Sequence, residues 1–129
     1  MPQKPVSLRI AAVRHTHHHA VVLVTAPDVK VAKALASAVL EARLAACANV
    51  LPGVESFFWW EDKLQKAAEA QIVFKTTTAR LSELEDLING KHPYDTPEFL
   101  VLPTMGGSGG YLDWIDASTR TVESTPEDK

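Results

Sequence analysis

The sequence predicts an α+β, ferredoxin-like fold: a β-α-β-β-α-β antiparallel sheet backed by two helices, with a short C-terminal helix appended. Three observations carry this. An apolar, β-branched run at residues 20–26 is followed directly by an amphipathic helical stripe. Two long strand-like segments then follow, with only Glu61-Asp62-Lys63 between them. A second helical stripe leads into another apolar run that ends at Pro103.

Taken in order, A-V-V-L-V-T-A (20–26) has strand length and continuous apolarity, as expected of a central strand covered on both faces. Pro27-Asp28 stops it, and Asp28 is a good N-cap for a helix whose stripe is Val31, Leu35, Val39 and Ala42, running through Arg43. Residues 46–60 read as one strand with a bulge or bend at Pro52-Gly53. Glu61-Asp62-Lys63 suits a tight turn, and residues 64–76 form the returning strand. Thr78 is expected to cap a second helix with stripe Leu81, Leu84 and Ile88, closed by Asn89-Gly90. Residues 97–103 supply a fourth strand, and residues 111–120 a terminal helix. The intervening M-G-G-S-G-G (105–110) reads as a mobile linker.

One feature does not suit a solitary subunit. At ~3.3 Å per residue the 46–60 strand spans about 50 Å, whereas a compact domain of about 100 residues is about 35 Å across. The hairpin must therefore bend or project, and it carries Phe57, Phe58, Trp59 and Trp60 in its distal part. Four aromatic side chains left in water make a large apolar patch, for which a sister subunit in a closed ring is the natural cover.

The 129 residues, 46% hydrophobic and 22% charged, fit one soluble domain at residues 20–120. A basic, His-rich tail (1–19) is expected before it and a polar tail (121–129) after it. All sixteen acidic residues follow Ala20, as do ten of the thirteen Lys and Arg, so residues 20–129 carry −6. An acidic body argues against a nucleic-acid partner. No apolar run reaches the ~20 residues that span a bilayer, so no membrane partner is expected either. The leader lacks the apolar segment of a secretion signal, and the single Cys47 suits a reducing compartment, which together point to the cytoplasm. His15, His17, His18 and His19 are expected to bind transition metals only adventitiously.

Chemistry concentrates in G-K-H-P-Y-D-T-P-E-F-L-V-L-P (90–103), where His92, Tyr94, Asp95 and Glu98 fall within seven residues around Pro93 and Pro97. Lys75 interrupts the apolar strand I-V-F-K-T and is suited either to orienting an anionic ligand or to pairing with an acid such as Glu98. Lys75, His92, Tyr94, Glu98 and Trp60 are therefore the candidate ligand-binding residues of a pocket between subunits. No residue is assigned as catalytic. Were the pocket catalytic, His92 would be its acid/base and Glu98 the partner that orients it.

Several motifs also resemble the divalent-cation tolerance family, CutA: T-A-P-D (25–28), L-A-A-C-A-N (44–49), W-W-E-D-K at the hairpin end, F-K-T-T (74–77) and H-P-Y-D-T-P-E-F-L-V-L-P. The resemblance covers about residues 21–118. It implies a ferredoxin-like subunit in a tight homotrimer, binding of divalent metal, notably copper, and no established enzymatic reaction. Val24 stands where some relatives carry a Cys, and Lys91-His92 where they show tandem His. His92, with Cys47 of L-A-A-C, is what remains of a metal-ligand set, consistent with weak binding of copper or another divalent cation. Cys47 also reads as a small buried hydrophobe of its strand.

Overall fold

The computed structural model describes residues 13–121. In order, the elements are β1 (Arg14–His15), β2 (His19–Ala26), α1 (Val29–Glu41), β3 (Cys47–Trp60), β4 (Lys63–Thr77), a 3₁₀ turn (Thr78–Arg80), α2 (Leu81–Lys91), β5 (Leu100–Pro103), β6 (Gly106–Gly107) and α3 (Gly109–Ser118). Four strands form an antiparallel sheet in the order β3-β4-β2-β5, the ferredoxin-like arrangement expected. β1 and β6 form a separate two-stranded ribbon.

The two faces of the sheet differ because side chains alternate along each strand. Val22, Val24, Ile72 and Phe74 point to one face and are fully buried against Leu35 and Val39 of α1 and Leu84 and Ile88 of α2. Their neighbours Val21, Leu23, Gln71, Val73 and Lys75 point to the other face and are only half-buried. So β2 is central, as its apolar run predicts, but only one of its faces is fully covered. Leu44 and Ala45, just after α1, complete the core.

Local chemistry places the helices. Asp28 caps α1, its carboxylate accepting the Val31 N–H at 2.8 Å. The helix ends in a Schellman motif: Leu44 N–H donates to the Val39 carbonyl, Arg43 N–H donates to that of Leu40, and Arg43 takes φ 61°. Arg43 tolerates a backbone region that favours glycine while its guanidinium donates to the Ser118 carbonyl at the end of α3.

The hairpin follows its sequence closely. Leu51 pairs with Gln71 but Val54 pairs with Glu69, so Pro52-Gly53 inserts one extra residue into β3, with Gly53 at φ 74°. Beyond this bulge the parity of β3 is reversed. Val54, Ser56, Phe58 and Trp60 share a face with Glu69 and Gln71, while Phe57 and Trp59 share the opposite face with Leu64 and Lys66. Glu61 and Asp62, both left-handed, form the two-residue turn. Since β2 pairs only with residues 70–77 of β4, the distal half of the hairpin projects beyond the sheet.

Three expectations about α2 and the fourth strand need correction. Thr78 does not cap α2 with its side chain. It begins the 3₁₀ turn that precedes the helix, and neither helical start carries a side-chain cap. Asn89-Gly90 does not end α2, which continues to Lys91, because Gly90 keeps a helical, negative φ. The stop is Pro93, whose ring excludes helical backbone at the preceding residue and holds His92 at ψ 140°. The fourth strand is shorter than the 97–103 run, pairing with β2 only over Leu100–Pro103.

The 105–110 segment is not a free linker. Gly106 and Gly107 pair with His15 and Arg14, and a Cβ on Gly106 would lie 2.9 Å from the Arg14 carbonyl, so glycine here allows close backbone approach. Part of the expected N-terminal tail thus joins the fold. His19 opens β2, is buried, and bridges Thr16 Oγ1 at 2.5 Å and Asp116 of α3 at 2.8 Å. The rest of the leader (1–12) and most of the C-terminal tail (122–129) lie outside the described residues.

Candidate functional site

The 92–98 loop leaves the end of α2 and meets the incompletely covered face of the sheet at Thr25, Glu69 and Gln71. His92 is its root, only 8% exposed. Its Nε2 lies 2.7 Å from the Thr25 carbonyl, which can only accept, so Nε2 carries the proton. Its Nδ1 accepts the Tyr94 N–H at 3.1 Å. Both ring nitrogens are thereby engaged with backbone, and the imidazole ring lies against that of Tyr94 at 4.8 Å.

Tyr94 and Glu98 are held by partners on β4. The Tyr94 hydroxyl donates to Glu69 at 2.7 Å, and the Gln71 amide donates both to Glu98 at 3.0 Å and to the Val24 carbonyl at 3.0 Å. Burial, together with the Glu69 hydrogen bond and the charges of Glu69 and Asp28, pushes the Tyr94 phenol up to about 12. Glu98 does not touch His92, so the expected orienting pair is absent.

Between this loop and the projecting hairpin lies a cleft of about 790 Å³. Phe58, Trp60 and Tyr94 supply aromatic walls, and Glu69, Asp95 and Glu98 supply carboxylates. Among the described residues no Lys, Arg or His lines it. The Pro52-Gly53 bulge explains the choice of rings, since without the extra residue Phe57 and Trp59 would face the cleft instead.

Of the five candidate binding residues, Trp60, Tyr94 and Glu98 come together here, and His92 lies behind them as a brace. Lys75 does not join them. It sits four residues along β4 from Gln71, about 13 Å away at strand spacing, where its ammonium bonds to Asn49 Oδ1 and lies 3.9 Å from Cys47 Sγ. That cluster also includes Tyr111 of α3, whose phenol is pushed up by burial and by Cys47. Lys75 interrupts an apolar strand because it faces away from the core; its pairing with Glu98 does not occur.

Two residues that anchor the 92–98 loop, Glu69 and Gln71, were missed. Glu69 and Gln71 alternate with the fully buried Ala70 and Ile72, and that period-two polarity marks the face of β4 on which the 92–98 loop rests.

The residues expected to bind copper do not form a common centre. His92 lies at the Thr25–Gln71 level of the sheet and Cys47 at the Lys75 level, again about 13 Å apart along the strands. His92 has no free nitrogen, and Cys47 has a cation beside its sulfur. Among the described residues no group of three His, Cys, Asp or Glu is placed to hold a metal ion. The donor set of the described residues therefore does not fit copper.

Comparison with known proteins agrees with this fold. A family model described as CutA1 divalent ion tolerance protein matches residues 20–118. The divalent-cation tolerance protein CutA of Pectobacterium atrosepticum is 48% identical over 100 residues, covering 78% of this chain and 91% of that protein. The CutA of Salmonella newport is 49% identical over 100 residues, with 78% and 87% covered. Among solved structures, CutA1 from Oryza sativa superposes with a TM-score of 0.78 at 42% identity, covering 81% of this chain and 96% of that one. The protein described as periplasmic divalent cation tolerance protein CutA from Archaeoglobus fulgidus gives 0.77 at 37%, covering 79% and 99%. With its sheet order, its projecting hairpin and these matches over nearly all of the folded part, the chain belongs to the CutA1 divalent ion tolerance family.

Proposed function

We propose that the protein serves divalent-cation tolerance in the cytoplasm as a homotrimer, holding a cationic ligand in the cleft between the 92–98 loop and the hairpin, with a neighbouring subunit completing the site. The observation that carries this reading is the cleft's charge: Glu69, Asp95 and Glu98 line it and, among the described residues, no basic side chain does. An anionic ligand, the reading suggested by Lys75, has no cation to meet there. Oxygen donors of this kind suit hard divalent cations better than copper, which favours imidazole and sulfur. Because one subunit's carboxylates do not converge on a single point, a metal would take further ligands from a neighbour. No acid/base role is included, since His92 has neither nitrogen available.

Calorimetry with Mn²⁺ and Cu²⁺ tests this, using protein with His15, His17 and His18 changed to Asn to remove adventitious ligands. The expected result is saturable Mn²⁺ binding that weakens in Glu98→Gln. Heat that disappears with the three histidines, or that is unchanged by Glu98→Gln, overturns it.

A further inference from the structure

We infer that the cleft takes a small organic ammonium ion, the linear aliphatic diamines being the simplest of the class. This rests on the reading that the cleft is a cation site, and it names the kind of cation. Three features distinguish it from a bare metal site. Its volume of about 790 Å³ is that of a small-molecule pocket, far larger than an ion requires. Its carboxylates are spread along the walls and do not close on one point, which suits charges separated by methylene groups. Its remaining walls are aromatic, and the faces of Phe58, Trp60 and Tyr94 attract ammonium groups while covering aliphatic carbon.

The carboxylates are also positioned in advance. Glu69 is held by the Tyr94 hydroxyl through one oxygen and Glu98 by the Gln71 amide through one oxygen. In each case the second oxygen has no protein partner among the described residues and remains available as an acceptor for an N–H donor. Ammonium groups supply several such donors, and no deprotonation of the protein is needed. The parity reversal at Pro52-Gly53 places Phe58 and Trp60 on the hairpin face that also bears Glu69, so the hairpin and the 92–98 loop each bring both rings and carboxylates to the cleft.

The test is calorimetric titration of the full-length protein with putrescine, with Mn²⁺ and with NaCl at matched ionic strength. Putrescine is expected to bind saturably and to displace Mn²⁺. Trp60→Leu should weaken putrescine binding about fivefold, the effect of losing about 1 kcal/mol of cation–π attraction, while Trp60→Phe retains most of it. Glu98→Gln should weaken it as well. Trp60 is exposed on the hairpin, so both Trp60 variants should keep the wild-type circular dichroism. Saturable Mn²⁺ binding with no putrescine binding overturns the inference and leaves the divalent-cation reading standing. Binding of neither cation removes both. Putrescine binding that Trp60→Leu leaves unchanged, or that NaCl reproduces, reduces it to surface charge and overturns the inference.

Discussion

At the scale of single residues, His92 illustrates how a residue with reactive chemistry can act as structure. The imidazole ties the end of α2 to the end of β2 through the Thr25 carbonyl and fixes the direction of the loop through the Tyr94 N–H. Removing it leaves a buried carbonyl unpaired, which costs about 1–3 kcal/mol. Denaturant unfolding of His92→Ala should therefore show a loss of about 2 kcal/mol, with Mn²⁺ affinity reduced only as far as the loop is displaced. A variant as stable as wild type would show the brace to be dispensable. Tyr94 gives a second test at this scale. In a Tyr111→Phe background, absorbance titration should show the remaining phenol ionising near 12, well above its ordinary value, and Glu69→Gln should lower that midpoint. The folded state holds this proton more tightly than the unfolded chain. The stabilisation is therefore complete below pH 10 and is lost as pH rises through about 12. With Tyr94 still 37% exposed, solvent screening keeps that loss small.

At the scale of elements, the bulge determines which side of the hairpin lines the cleft. Gly53 stands at φ 74° with nothing within 4 Å of a would-be Cβ, so the only penalty of a side chain there is its backbone conformation. Gly53→Ala should destabilise by about 1 kcal/mol, and Gly53→Asn by less, because Asn tolerates the left-handed region. Equal losses for the two would mean that something other than φ limits the site. Much of this level was legible in the sequence. The Asp28 cap, the Pro52-Gly53 bulge and the Glu61-Asp62 turn each rest on chemistry confined to a few neighbouring residues, and each is present as read. What was not legible depended on distant partners. Gly106 reads as flexible until Arg14 is found against it. Asn89-Gly90 is the local exception: two stop signals stand three residues apart, and the ring of Pro93 prevails over the glycine. Lys75 and Gln71 share a face of β4, yet the strand spacing between them separates Lys75 from Glu98 only once the loop is found to land on Gln71. Glu69 and Gln71 carried a visible alternation, but its purpose depended on where the 92–98 loop would land.

At the scale of the whole molecule, the two faces of the projecting hairpin have different requirements. The face bearing Phe58 and Trp60 borders the cleft beside the 92–98 loop. The opposite face bears Phe57 and Trp59, 64% and 73% exposed, with Leu64 paired across from Trp59, and the loop never reaches it. A second apolar surface lies at the free edge of the sheet, where Leu100, Val101 and Leu102 of β5 are exposed. These two surfaces differ, so joining one subunit's hairpin to the next subunit's edge is a head-to-tail contact, which closes into a ring when the rotation permits. Burial of an aromatic side chain contributes about 2–3 kcal/mol, and in a ring of three each substitution acts at three contacts. Trp59→Glu combined with Phe57→Lys should therefore shift the mass measured by light scattering at micromolar concentration from three chains to one, with circular dichroism unchanged because neither residue belongs to the core. A Trp60→Leu variant, altered on the cleft face alone, should keep the mass of three. If the double variant keeps that mass too, the outer face of the hairpin is not the contact that assembles the molecule. If wild type itself returns the mass of one folded chain, the cleft must do its work within a single subunit.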